Sequence, residues 1–149
     1  MIHIIYISDS HAHFDNAYKE YIKRLPKLKI HKLKPVKNKS KCEILKLESS
    51  LLQKYISKIK WYKVLLNITS NILDTEKFLN LINTKQINFW NIIFIVWWVY
   101  WTDSNILKDS IDYELSLSPM TFTHQLALVM LLEQIYRVSK IESWSKYHK

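Results

Sequence analysis

Two periodicities alternate along this chain. Short runs rich in β-branched and large apolar residues, at Ile2–Ile7, Leu28–Leu33, Val64–Ile68, Ile92–Val96 and Tyr113–Leu117, fit buried strands. Between them, apolar residues recur every three or four positions, the spacing of one helical face. Phe14–Leu25 places Tyr18, Tyr21, Ile22 and Leu25 on such a stripe and stops at Pro26. Glu43–Ile59 does the same with Ile44, Leu47, Leu51, Leu52, Tyr55 and Ile59. Asp74 offers an N-cap to a helix running through Leu81 and Ile82, and Thr102-Asp103-Ser104 caps a short helix over Asn105–Ser110. The last helix, Phe122–Ile141, carries Phe122, Leu126, Val129, Met130, Leu132, Ile135 and Tyr136, a face broad enough to pack on two sides. Strands alternating with helices specify an α/β fold, a mostly parallel sheet flanked by helices, as one domain over 1–149. The longest apolar run, Ile92–Trp101, is about half of the roughly 20 residues a membrane helix needs. The apolar start at Met1–Ile7 has neither a basic leader nor a small-residue cleavage site, so it predicts a first strand and not a signal peptide.

Composition then narrows the partners. Twenty-two Lys and Arg stand against thirteen Asp and Glu, a net charge of +9. That balance favours a polyanion such as RNA or DNA, or else a lysine-rich surface with no specific partner. The basic connection Lys32–Lys41 reads either as a phosphate contact or as a solvated loop. A lone Cys42 cannot form an internal disulfide, which suits a reducing cytoplasm. No Cys/His group has metal-ligand spacing, so no metal is expected. More unusual is the complete lack of glycine beside six tryptophans. An average chain of this length has roughly ten glycines, and without them no Gly-rich phosphate loop exists.

Candidate chemistry concentrates in two places. Phe94–Asp103 has the frame of a strand entering a ligand-binding turn, where the backbone favours residues without a Cβ, yet Trp97, Trp98 and Trp101 occupy it. Leu115–Leu126 joins the last strand to the last helix and alternates hydroxyls with apolar groups. The carboxyl ends of strands are where α/β sheets bind small molecules. Ser118 and Thr121 serve equally well as caps of the last helix.

The string from Leu115 to Lys149, LSLSPMTFTHQLALVMLLEQIYRVSKIESWSKYHK, resembles the bacterial ribosomal large subunit methyltransferase H family. Length, the opening strand, the Glu20–Leu25 segment and the strand at Val64–Ile68 extend the likeness over the whole chain. The resemblance implies a SPOUT-class α/β domain with a C-terminal trefoil knot, a homodimer that binds S-adenosylmethionine in the knot. Such a knot is a rare exception that periodicity cannot indicate. Family members methylate N3 of a pseudouridine in large-subunit ribosomal RNA, on assembled ribosomes. By position, the resemblance assigns cofactor contacts to Leu66, Trp97, Ser116, Leu117, Ser118, Pro119, Met120 and Thr121. It makes His124, Arg137, Tyr147 and His148 the candidates for contacting or orienting the RNA, with the general base unassigned. Pseudouridine N3–H must lose its proton before or during attack on the sulfonium methyl, so positioning and a positive field carry most of the catalysis.

The chain departs from that family pattern in two ways. Trp97, Trp98, Trp101 and Trp144 stand at glycine positions, whereas Trp61 and Trp90 are less clearly misplaced. The expectation is that the source organism reads UGA as glycine and that the written sequence renders it as tryptophan. Literal tryptophans would instead make this an inactive, knotted RNA-binding homologue. The other departures need a different account: Asn67 for an aspartate, Ser70 for a glycine, Leu128 for an arginine and Lys146 for a proline.

Overall fold

The computed structural model describes residues 1–97 and 107–147. Five parallel strands, β1 (Ile2–Ile7), β2 (Lys29–Leu33), β3 (Tyr62–Ile72), β4 (Ile92–Val96) and β5 (Tyr113–Ser116), form one sheet in the order β2-β1-β4-β3-β5. Helices α1 (Asp15–Arg24), α2 (Lys41–Ile56), α3 (Thr75–Phe89) and α4 (His124–Tyr147) cover it. Central strands of such a sheet are buried on both faces, which is why β4 reads as an unbroken apolar run, Ile-Ile-Phe-Ile-Val, all of it buried.

The alternation of side chains along each strand divides the core. Ile4, Tyr6, Val64 and Phe94 point to one face, where Phe78 and Ile82 of α3 meet a stripe of α4 formed by Leu128, Leu131, Leu132, Ile135 and Val138. Ile5, Ile7, Leu65, Ile93 and Ile95 point to the other, against Leu52 and Ile56 of α2. Leu128 is thus a core residue at 2% exposure, and the exchange from the family's arginine places an apolar side chain where α4 meets the sheet. The expected two-sided packing of α4 is partial: Val129 and Met130 are half-buried and line a second groove with Leu73, Thr75 and Leu117.

Local chemistry sets the boundaries. The second helix starts at Lys41, earlier than the apolar stripe predicts, because Ser40 and Glu43 form a reciprocal capping box. Asp74 caps α3 as expected, its Oδ1 accepting from the Lys77 N–H at 2.7 Å. Thr123, and neither Ser118 nor Thr121, caps α4 by accepting from the Leu126 N–H at 3.4 Å. β3 outruns its predicted end at Ile68 because it leaves β5 after Leu66 and rejoins it at Asn71, with four residues looped out between. Of the short helix expected over Asn105–Ser110, Lys108–Ser110 form a 3-10 turn. Its proposed cap, Thr102–Ser104, lies outside the described residues, as do Trp98 and Trp101. The basic connection folds back onto the end of β1, where Lys32 Nζ donates to the Asp9 carbonyl at 2.7 Å and Lys37 pairs with the Asp9 carboxylate. Among the described residues no helix is long and apolar enough to cross a membrane.

One tryptophan sits on a backbone that disfavours it. Trp90 follows the last residue of α3 with φ 61° and ψ −40°, and its neighbours close a γ-turn through an Asn91 N–H to Phe89 carbonyl bond of 2.6 Å. A bulky residue at positive φ is an outlier, whereas glycine takes that region freely at the end of a helix. The indole is 82% exposed, so little packing is lost with it. Trp90→Gly is therefore expected to stabilise the fold by about 0.5–1 kcal/mol, relief of strain outweighing the added freedom of the unfolded chain. Urea denaturation checks this, and a lower midpoint for the variant refutes it.

Candidate functional site

The carboxyl ends of β3, β4 and β5 open into one cavity of about 170 Å³. Its walls come from Leu65–Thr69, from Val96 and Trp97 at the end of β4, and from the segment after β5 that leads into α4. Leu66, Trp97, Leu117, Ser118, Met120, Thr121 and His124 line it, so seven of the residues singled out in the sequence converge. Ser116 and Pro119 do not face it. Ser116 is buried at 2% exposure, with Oγ 3.0 Å from the Ile68 carbonyl and 2.8 Å from the Ser118 carbonyl. Ser118 Oγ in turn accepts from the Met120 N–H at 3.0 Å. These hydroxyls shape the loop, which leaves apolar groups and main-chain atoms to meet a ligand.

The looped-out residues 67–70 of β3 form the facing wall, and Glu114 on β5 holds them. Asn67 Nδ2 and Ser70 Oγ both donate to Glu114 Oε2, at 3.0 and 2.7 Å. Asn67 Oδ1 meanwhile accepts from the Thr69 N–H and hydroxyl at 3.3 and 3.2 Å. Two of the departures from the family pattern thus act as a pair, because an amide and a hydroxyl can donate to one carboxylate where an aspartate cannot. Sequence reading missed Glu114 because its partners lie more than forty residues away.

On the far side, His124 begins α4 and is held by the end of β1. Ser8 Oγ donates to the Ser10 carbonyl at 2.6 Å, so at 3.3 Å it accepts from His124 Nε2–H. Burial lowers the pKa of His124, against a smaller upward pull from the Glu48 carboxylate, and the ring is neutral at physiological pH. Trp97 closes the cavity floor. Only 6% exposed, it directs Nε1 to Glu48 Oε2 at 3.1 Å. Arg137 stands thirteen residues along α4 from His124, about 20 Å along the axis, exposed and paired with Glu133 at 2.6 Å. The structure does not bring it to the cavity. Tyr147 ends α4, and His148 lies outside the described residues. Among the described residues no His/Cys/Asp/Glu group is arranged to hold a metal.

A family model described as "Predicted SPOUT methyltransferase" matches residues 1–148. The chain belongs to the SPOUT methyltransferase family. Its relatives include proteins named ribosomal RNA large subunit methyltransferase H. The one from Fusobacterium nucleatum is 34% identical, covering 97% of this chain and 91% of the relative. That from Pseudothermotoga lettingae is 36% identical over 99% of this chain and 98% of its own length. A Mycoplasma capricolum protein of the same name is 34% identical over 93% and 92%. The parallel sheet and the site at its carboxyl edge agree with a SPOUT methyltransferase.

Proposed function

We propose that this SPOUT methyltransferase transfers the methyl group of S-adenosylmethionine to N3 of a pseudouridine in large-subunit ribosomal RNA. It would act in the cytoplasm on the assembled ribosome, as a homodimer with the C-terminal trefoil knot of its family. The observation that carries this reading is the convergence of Leu66, Leu117, Ser118, Met120 and Thr121 on one cavity, since these are positions the family resemblance gives to the cofactor. The net charge of +9 suits a polyphosphate substrate. When bound, the cofactor supplies an electrophilic sulfonium methyl. The loop after β5, pre-shaped by Ser116 and Ser118, would hold the nucleoside through main-chain groups, at little cost in ordering. Neutral His124 has the protonation state of an acceptor for a uracil-type N–H, and the positive field of a chain with net charge +9 would favour the anion left behind.

A second reading, an inactive RNA-binding homologue, is favoured by one observation. The Trp97 indole fills part of the cavity and finds a hydrogen-bond partner there. Methyl transfer decides between the two. Ribosomes lacking the modification, incubated with labelled S-adenosylmethionine and the Trp97→Gly/Trp98→Gly/Trp101→Gly protein, are expected to gain label that blocks reverse transcription at a single pseudouridine. No incorporation overturns the enzyme reading. In a binding titration against the same ribosomes at several salt concentrations, Arg137→Ala is expected to weaken RNA binding about tenfold and to lower the salt dependence by about one unit of slope, as loss of a single phosphate contact would. Unchanged affinity and slope remove Arg137 from the RNA surface.

A further inference from the structure

Glu48 on α2 has no role in the loop just described, yet it is only 6% exposed. Its Oε1 accepts from the Val36 N–H at 3.0 Å and its Oε2 from the Trp97 indole N–H at 3.1 Å. Among the described residues no lysine or arginine forms an ion pair with it. Burying a carboxylate without a cation is costly. The Trp97 ring both lines the cavity and bonds Glu48, so its removal leaves Oε2 at the wall of an enlarged space. At about 170 Å³ the cavity is smaller than the roughly 300 Å³ at the low end of small-molecule sites. Removal of the Trp97 ring would add room on the Glu48 side.

We propose that Glu48 is a ligand-binding residue of this pocket, its Oε2 accepting a hydrogen bond from an O–H or N–H donor of S-adenosylmethionine at the place the Trp97 indole N–H now takes. The inference rests on the cofactor reading above and extends it to a helix on the opposite face of the sheet. S-adenosylmethionine carries three kinds of donor, the adenine amino group, the ribose hydroxyls and the α-ammonium, and it carries net positive charge that a buried carboxylate would offset.

The test takes the Trp97→Gly/Trp98→Gly/Trp101→Gly protein as parent and adds Glu48→Gln. The amide oxygen of glutamine keeps the Val36 N–H satisfied, which turns its NH2 toward the ligand and replaces an acceptor by a donor. Calorimetry with S-adenosylmethionine is expected to show affinity lower by about tenfold or more, the loss of one charge-assisted bond. Methylthioadenosine, which keeps the adenine and ribose and lacks the ammonium, separates the adenosine donors from the ammonium. An equal loss with it assigns the adenosine end, and no loss with it assigns the ammonium. Glu48→Asp, which withdraws the carboxylate by one methylene, provides the same comparison should the glutamine variant fail to fold by circular dichroism. A loss of less than about threefold with S-adenosylmethionine overturns the role of Glu48 while the cofactor reading stands. A parent that binds no S-adenosylmethionine overturns the cofactor reading itself, and this inference with it.

Discussion

Glycine at positions 97, 98 and 101 is expected to raise the affinity of this protein for S-adenosylmethionine by about a hundredfold over the chain as written. The Trp97 indole occupies the floor of a cavity of about 170 Å³, and a ligand entering there must displace it and break its bond to Glu48. Forcing bulk into a packed site costs about 1–3 kcal/mol per site, and about 2.7 kcal/mol is a hundredfold in affinity. Titration calorimetry on both proteins measures the ratio, and equal affinities would show that the indoles do not obstruct the ligand. The result also bears on decoding. Of the chain's indoles, Trp90 sits on a backbone that suits glycine, at positive φ. Trp61 differs, because its ring stacks on His3 with centroids 4.0 Å apart. Mass spectrometry of peptides from the native protein should find glycine at 97 and 98 if UGA is read that way in the source organism; tryptophan there would sink the idea.

Acid should unfold this protein earlier than its carboxylates explain. His3, on β1, is 4% exposed, and its Nδ1 lies 3.0 Å from Nε2 of His31 on the neighbouring strand. The Tyr55 hydroxyl completes the run, 2.8 Å from His31 Nδ1. Donor and acceptor roles along this run follow the tautomers, and the contact between the rings needs one bare nitrogen, which two neutral rings supply. Protonating both rings would set two N–H groups against each other across it. Burial, then the neighbouring His31, pushes the His3 pKa down to about 4, and burial lowers His31 as well. A histidine with a lowered folded-state pKa makes the unfolded chain the better proton binder. Its contribution is complete above the unfolded value of about 6.5 and fades as pH falls toward 4. With allowance for solvent screening, His3 should cost about 2 kcal/mol across that window. Urea midpoints at pH 7.5, 5.5 and 4.5 test it, with His3→Gln expected to flatten the curve. Asp15, Glu43 and Asp74, all lowered, lose their contributions only at more acidic pH. A wild-type midpoint that is level from pH 7.5 to 4.5 would show that the histidine chain does not carry the effect.

The frame of the protein was legible in the sequence, whereas much of its polar wiring was not. Strand β4 could be read because burial on both faces leaves an unbroken apolar run, and α3 because Asp74 both begins it and caps it. The loop after β5 was singled out in the sequence and lines the cavity, though Ser116 and Ser118 turned out to shape the backbone. Glu48, Glu114, Ser8 and the His3–His31 pair left no local signal. Each acquires its meaning from a partner far away in the chain, and one sequence says nothing of which distant polar groups will meet inside. The looped-out residues of β3 were hidden for a related reason: apolar and polar residues continue in strand-like order through Ile72, and only the register against β5 reveals the break.

That break ties the state of the cavity to the edge of the sheet. Among the described residues β5 has a strand neighbour on one side only, and its pairing with β3 is divided by a segment of which Asn67, Ile68 and Thr69 wall the cavity. Whatever fills the space presses on a seam and not on a finished surface, so occupancy and closure of the seam must favour each other. Amide protons of β5 would then act as an internal gauge of ligand binding, exchanging more slowly when the space is filled, without any group of β5 beyond Leu115 touching the ligand.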